Sequence, residues 1–518
     1  MKGRSPFPHD AGVFAAVIAN LVLLTAVLAP SLATAQSWPI AGHDLSDTRS
    51  QPNETIISPA NASQLTPQWV FTTHGDVSAT PTVSNGTVYF PDWGGYLYAV
   101  HAGTGKLIWS HRISDYNGQA SAMSRISPAV YQGELIIGDN VSQAIEHNGA
   151  HIMAVDRNTG KLLWITQVDS HPAAIITGSP VVSGGTVYVG VSSNEEALAT
   201  NNAYPCCTHR GSMVALSAST GRILWQTYTI PDNGGQPGGY SGNAIWGPVA
   251  LGNGTLFTAT GNNYTVPASV AQCEAKGGTN CESPDDHFDS ALALDPATGA
   301  IKWAHKLWGP DAWTVACTTG GSNCPSPTGP DYDFGSGPNF MGNLVGFGQK
   351  SGIYWALNPS NGNIVWATSV GPGGTLGGIE WGSATDGSRV YAAIGNNGMT
   401  PYALANGGPT ITWGSWAALD AQTGSFLWQI ADPTPGAIDV GSVSVANGVV
   451  YTDSYSGYVY AIDAATGSIL WSFNTGGSVI DGPSIVKGFV FWGSGFSHIA
   501  PGTGNKKVYA FTIPGTVF

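Results

Sequence analysis

Seven segments of this chain end in tryptophan after one recurring pattern. "YAVHAGTGKLIW" ends at Trp109, "MAVDRNTGKLLW" at Trp164, "VALSASTGRILW" at Trp225 and "LALDPATGAIKW" at Trp303. "WALNPSNGNIVW", "AALDAQTGSFLW" and "YAIDAATGSILW" follow, ending at Trp366, Trp428 and Trp471. Each copy reads as an apolar strand, a turn rich in Asp, Asn, Ser and Gly, and a second apolar strand, with Gly supplying the positive φ of the turn. An eighth copy is split between the ends of the chain. "KKVYAFTIP" near the C-terminus has the first strand without the Trp, and "WVFTTHGDVSATPTV" from Trp69 matches "WSFNTGGSVIDGPSI" from Trp471 at one constant offset. Laying these two ends side by side closes a ring. The expectation is an all-β chain folded as an eight-bladed β-propeller of four-stranded antiparallel blades, whose radial closure leaves few open sheet edges. The 70 Gly and 18 Trp suit many short strands and tight turns.

The step between successive tryptophans grows from 40 residues (Trp69 to Trp109) to 78 (Trp225 to Trp303). A blade needs roughly 40–45 residues, so the middle blades carry long insertions, and a functional site is expected there. The repeat tryptophans themselves are expected to pack between blades.

Residues 1–35 read as a secretory signal: Lys2 and Arg4, an apolar stretch from Ala11 to Ala29, and small residues Ala33 and Ala35 at the cleavage positions. Residues 36–518 then form the propeller, with no membrane span after cleavage, in the periplasm or, in a eukaryote, along the secretory route. Export permits disulfides, and the six cysteines fall into close pairs: Cys206/Cys207, Cys273/Cys281 and Cys317/Cys324. None makes a Cys-x-x-Cys zinc knuckle or a haem attachment site. With 18 Lys+Arg against 32 Asp+Glu and no basic run, a nucleic-acid partner is excluded.

The eightfold repeat with split closure resembles the pyrroloquinoline quinone (PQQ) alcohol dehydrogenases, and also non-catalytic propellers such as outer-membrane assembly scaffolds. The insertions narrow this. "YVGVSSNEEALATNNAYPCCTHRGS", "GGYSGNAIWGPVA", "TATGNNYTVP", "DDHFDSALALD", "GPDYDFG" and "GQKSGIYWALNP", in this order, resemble the polyvinyl-alcohol-dehydrogenase branch across essentially all of the mature chain.

That resemblance implies PQQ and Ca²⁺, a hard cation that takes oxygen ligands. The segment Ser193-Asn194-Glu195-Glu196 resembles the family's metal-ligand stretch, making Glu196 the ligand, with Glu195 as the register alternative and Ser193 beside the cofactor. "ATGNN" places Asn262 as the amide ligand. The catalytic Asp is expected in "PDDHFDSALALD", with Asp285 as base and metal ligand, Asp286 and Asp289 as competitors and His287 as an outsider. Lys350 in "GQKSG" resembles the basic residue that contacts both quinone and base. Trp246 resembles the stacking floor; Arg125, Thr177 and Trp381 resemble polar and aromatic cofactor contacts. Adjacent cysteines roof the quinone in this family, so Cys206 and Cys207 are expected over the cofactor, or else as a structural or redox pair. Here they follow Glu196 in the chain, whereas in the better-known members the pair precedes it. Ser78 and Glu380 stand where the family often has Glu and Asn.

The implied activity is PQQ- and Ca²⁺-dependent oxidation of secondary or polymeric alcohols, with electrons passed to an external cytochrome c. The competing reading is a propeller that has lost PQQ and serves as a binding scaffold. The absence of a G-x-G-x-x-G fingerprint argues against a nicotinamide cofactor.

Overall fold

The computed structural model describes residues 36–141 and 146–518, so the expected signal segment, 1–35, lies outside the described residues. Eight four-stranded antiparallel blades make up the ring, two of them extended by a short fifth strand: Ala174–Ile175 on the third and Ser50–Gln51, running parallel, on the seventh. Blade 1 runs through Thr82–Ser84, Thr87–Pro91, Tyr96–His101 and Leu107–Arg112. Blades 2 to 7 repeat this order over 129–169, 181–228, 250–306, 339–369, 384–431 and 444–474. Blade 8 takes Ser484–Val486, Phe489–Ser494 and Lys507–Thr512 from one end of the chain and Thr66–Thr72 from the other. The closing pair is antiparallel, with Trp69 opposite Ala510 and Thr72 opposite Lys507, as the constant offset requires.

The repeat pattern has a packing cause. Each tryptophan indole donates to a backbone carbonyl at the turn of the next blade: Trp69 to Ala102 at 2.7 Å, Trp164 to Ala218 at 2.7 Å, Trp366 to Ala421 at 3.2 Å. The glycine of that turn lies against the ring. Gly362 has φ +72°, and a Cβ there would lie 2.7 Å from the indole of Trp303. One residue thus answers two demands, a left-handed backbone and room for the neighbour's ring. Trp471 departs from the series because the split blade has no such turn; its ring instead packs edge-on against Phe511, 5.1 Å away.

Strand alternation puts the repeat turns on one face of the ring. The connections between second and third strands, and those from one blade to the next, lie on the other, and the insertions lie in these.

An N-terminal strap was not apparent from the sequence. Trp38 exchanges two 2.8 Å backbone hydrogen bonds with Val83 of blade 1. The carbonyls of Pro39, Leu45, Ser46, Thr48 and Arg49 then accept from Val130, Leu251, Phe340, Thr385 and Val445 of blades 2, 4, 5, 6 and 7. Gln51 Nε2 donates to Ile485 O of blade 8 at 3.2 Å. The strap joins seven blades before the first complete one has formed in the chain. Among the described residues no helix is long and apolar enough to cross a membrane.

Candidate active site

A cavity of about 550 Å³ is lined by one or more residues from every blade but the seventh, which places it on the ring axis. Its residues come from second-to-third-strand connections (Trp93, Asn140, Glu196, Asn262, Lys350, Asn397, His498) and from blade-to-blade connections (Arg125, Thr177, Trp246, Asp331, Asp333, Glu380, Trp381). The size and the mixed lining suit a cofactor-sized ligand.

Lys350 stands at the centre of its chemistry. Nζ lies 3.1 Å from Asp331 Oδ1 and 3.2 Å from Asp333 Oδ2, and 5.4 Å from the centre of the Trp246 ring. Burial opposes the ammonium charge, but Asp331, Asp333, Glu380 and Glu196 together hold Lys350 well above the ordinary lysine value. Asp333 is fixed at both oxygens, since Oδ1 also accepts the Asn262 N–H at 2.6 Å. Asp331 Oδ2 has no hydrogen-bond donor among the described residues. Asp311 holds the loop beneath, accepting the backbone N–H of Asp331 at 3.1 Å and of Tyr332 at 2.7 Å.

The amide of Asn262 is oriented by its donors, with Nδ2 reaching the carbonyls of Asn263 and Trp313 at 2.9 Å each. Its Oδ1 is left as the acceptor. Burial pushes Glu196 up to about 7 and Glu380 up to about 8; Lys350 opposes both shifts and neighbouring carboxyls add to them. Glu380 Oε2 has no hydrogen-bond partner. The acids therefore outnumber Lys350 and Arg125, and this surplus of oxygen donors is the composition a hard cation binds.

Trp246 lies on a glycine shelf: a Cβ at Gly335 would overlap its ring, and one at Gly261 would lie 2.7 Å from Asp333 Oδ1 and 3.2 Å from the indole nitrogen. Thr177 Oγ1 donates to the Trp246 carbonyl at 3.3 Å. The guanidinium of Arg125, 5.8 Å from the centre of the Trp93 ring, has no hydrogen bond among the described residues. Trp93 stacks on His498, with ring centres 3.6 Å apart, on the cavity wall.

Of the residues singled out from the sequence, Arg125, Thr177, Ser193, Glu196, Trp246, Asn262, Lys350 and Trp381 all line this cavity. Three do not. Asp285 is exposed, its N–H bonded to Ser283 Oγ at 3.3 Å, because the insertion after Asn262 carries it outward before the chain re-enters blade 4. Its neighbours do not line the cavity either: Asp286 is buried between Asn243 Nδ2 and Asn263 Nδ2, at 2.7 and 3.0 Å, and Asp289 is buried behind the lining, its N–H donating to the Gly261 carbonyl at 3.1 Å. The carboxylates beside Lys350 are instead Asp331 and Asp333. Their signal was "GPDYDFG", two acids one residue apart just ahead of "GQKSG".

Cys206 and Cys207 are disulfide-bonded but do not line the cavity. Their loop is tied to the buried carboxylate of Glu195, which accepts the N–H of Thr208 at 2.8 Å and of His209 at 2.7 Å. The other two pairs are bonded as their spacing suggests.

A protein-family profile described as outer membrane protein assembly factor BamB matches residues 57–205 and 414–511. The polyvinylalcohol dehydrogenase of Sphingopyxis sp. (strain 113P3) is 32% identical over 515 residues, covering 88% of this chain and 73% of that protein. The polyvinylalcohol dehydrogenase of Pseudomonas sp. is 30% identical over 510 residues, covering 90% and 74%. Among solved structures, quinohemoprotein alcohol dehydrogenase from Comamonas testosteroni superposes with a TM-score of 0.68 at 20% identity, over 93% of this chain and 81% of that one. BamB from Moraxella catarrhalis superposes at 0.51 with 14% identity, over 86% and 99%. The two superpositions share a fold and differ in the function of the protein matched.

Proposed function

We propose, from the premise that the chain belongs to the polyvinylalcohol dehydrogenase family of quinoprotein alcohol oxidoreductases, that it oxidises secondary or polymeric alcohols. In this reading it uses PQQ and Ca²⁺ and passes electrons to an external cytochrome c. The observation that carries the reading is the Lys350 ammonium bridging Asp331 and Asp333 beside the Trp246 ring in the axial cavity. A scaffold has no use for a buried cation between two carboxylates, which costs several kcal/mol of desolvation per ion, on the order of the whole gain from pairing.

The residues fit both groups. A flat polyanion meets the Trp246 face, the unbonded guanidinium of Arg125 and the hydroxyls of Thr177 and Ser193. A hard cation would be held by the carboxyl of Glu196, Oδ1 of Asn262 and the carboxyl of Asp333, all on the cavity lining. Bound there, the quinone supplies a two-electron acceptor and the cation a Lewis acid.

The chain's own part is proton handling and orientation. Asp331 accepts the substrate hydroxyl proton at Oδ2, the oxygen without a donor. Burial raises Asp331 well above the ordinary carboxyl value, and Lys350, holding Oδ1 of the same group, opposes that rise and so favours the ionised form. Asp333, pinned by Asn262 N–H and Lys350, holds the cation side. Leu376, Val315 and the Trp93–His498 stack give the wall an apolar character suited to an alkyl chain. We place the protein outside the cytoplasm, in the periplasm, on the three disulfides and on residues 1–35 as a cleaved signal.

Titrating the purified chain with PQQ in CaCl₂, and in parallel in LaCl₃, should quench tryptophan fluorescence. It should also confer dye-linked oxidation on an alcohol panel that includes polyvinyl alcohol. Neither quenching nor oxidation in either metal would leave the scaffold reading.

A further inference from the structure

Two adjacent glutamates have opposite surroundings. Glu196 lines the cavity, whereas Glu195 is fully buried behind it. Oε1 of Glu195 accepts from Tyr204 Oη at 3.0 Å and Thr208 N–H at 2.8 Å, and Oε2 from His209 N–H at 2.7 Å and Ser241 Oγ at 3.1 Å. His171 Nε2 lies 3.6 Å from Oε1 and bonds Thr208 Oγ1 at 2.8 Å. Each oxygen accepts one backbone N–H, from Thr208 and from His209, while the single proton of Ser241 Oγ is shared with the His209 carbonyl at 2.9 Å.

The direct donors belong to two stretches of chain, and His171, bonded to Thr208, adds a third behind them. Tyr204, Thr208 and His209 flank the Cys206–Cys207 bond, which closes the loop just ahead of the two N–H donors. Ser241 opens the segment that runs on to Trp246, and His171 lies between blades 2 and 3. Glu196 itself sits in a single helical turn, Glu195–Leu198, whose N-cap Asn194 makes no side-chain cap. Besides the Glu195 carboxylate, the start of that turn is held by Ser193 Oγ, accepting the Glu195 N–H at 2.9 Å, and by the Asn194 N–H, donating to Ala173 O at 2.8 Å.

We infer that Glu195 is a positioning residue: its buried carboxylate ties the doubled-cysteine loop and the Trp246 segment to the turn that carries Glu196, and so sets where Glu196 meets the cation. The cysteine pair serves this clamp and does not roof the cofactor. The inference rests on the cation assigned to Glu196 and Asn262 under the proposed function. Outer partners that orient a ligand typically govern about 10–100-fold in metal affinity.

The test measures Ca²⁺ affinity of the full-length chain with PQQ present, by chelator competition read through tryptophan fluorescence, alongside thermal midpoints. Glu195→Gln places an amide NH₂ against N–H or O–H donors whichever way it turns. Ca²⁺ affinity should fall about 10–100-fold, with the PQQ signature restored at saturating Ca²⁺. A folded Glu195→Gln protein with wild-type Ca²⁺ affinity, even with a lowered midpoint, overturns the inference. If that variant does not fold, Tyr204→Phe removes one donor only and should weaken Ca²⁺ by about two- to fivefold, on the order of one hydrogen bond; unchanged affinity overturns it equally. A Cys206→Ser, Cys207→Ser protein should also lose Ca²⁺ affinity, and wild-type affinity there overturns the part given to the disulfide. Wild-type protein that binds no Ca²⁺ overturns the parent reading instead, and Glu196→Gln, which removes the ligand itself, marks the full loss.

Discussion

Replacing Asp331 and Asp333 by Asn, one at a time, separates a proton acceptor from a cation ligand in a pair whose α-carbons are two residues apart. The structure assigns them different free valences. Asp331 spends one oxygen on Lys350, at 3.1 Å, and keeps Oδ2 unbonded. Asp333 spends both, on the Asn262 N–H at 2.6 Å and on Lys350 at 3.2 Å. Asn at 331 keeps the volume and the Lys350 contact but cannot take up a proton, so kcat should fall by about 10²–10⁴, on the order of 3–5 kcal/mol of barrier. Raising Ca²⁺ should not recover it. Asn at 333 turns its NH₂ toward one of two donors, losing that contact and one negative charge from the cation side. Half-saturation in Ca²⁺ should rise about 10–100-fold, with kcat recovered at high Ca²⁺ to within about tenfold of wild type. The assay is dye-linked turnover at saturating PQQ across a Ca²⁺ series. The reverse pattern, with Asp331→Asn rescued by Ca²⁺ and Asp333→Asn not, would refute the assignment, and wild-type turnover in both would remove this pair from the reaction.

Three other outcomes follow from the same geometry. Gly362→Ala should cost about 1–2 kcal/mol for a left-handed alanine and about 1–3 more for crowding the Trp303 ring, whereas Gly86→Ala, at φ +79° with nothing within 4 Å, should cost only the first part; equal shifts in denaturant midpoint would discredit the turn-to-ring packing. Trp38→Ala, at a fully buried site whose indole donates to Ala41 O at 3.1 Å, should cost about 3–5 kcal/mol in the same measurement, and a loss under about 1 kcal/mol would show that the strap adds little. Lys350→Met removes the cation from a buried acid cluster and should destabilise the cofactor-free protein by about 3–5 kcal/mol as well as abolish turnover, with an unchanged denaturant midpoint counting against the coupling.

The blade count, the split closure and the tryptophan packing were legible in the sequence because each depends on a local pattern repeated at fixed spacing. Glu196, Asn262 and Lys350 were singled out by resemblance to family segments at blade ends, and all three line the axial cavity. Asp285 was misplaced because its segment belongs to a long insertion, where chain distance no longer reports spatial distance. Asp331 and Asp333 lie in the blade-to-blade connection that returns to the axis, and only the fold distinguishes that connection from the one holding Asp285. The doubled cysteine shows the same limit. Its residue type is recognisable, but its loop is tied to Glu195, whose burial cannot be read from a glutamate flanked by another glutamate. The strap left no periodic signal at all, since it bonds through backbone groups that every residue carries.

The strap and the axial cavity share a neighbour in Trp246. A second, smaller space shares Trp246, Trp381, Thr177 and Arg125 with the main cavity and is lined also by Arg49 and Ala41 of the strap and by Asp481. Arg49 closes it by donating to the carbonyls of Val443 at 2.8 Å, Ala41 at 3.1 Å and Asp481 at 3.3 Å, and to Thr80 Oγ1 at 3.0 Å. Bulk water reaching Trp246 from this space would raise the local dielectric and weaken the attraction between Lys350 and its two carboxylates in proportion. Lys350 would then lose its hold on one oxygen of Asp331, and the other would lose its fixed direction. The N-terminal strap contributes no residue to the main cavity, but through Arg49 and Ala41 it lines the neighbouring space that shares Trp246, Arg125, Thr177 and Trp381 with it.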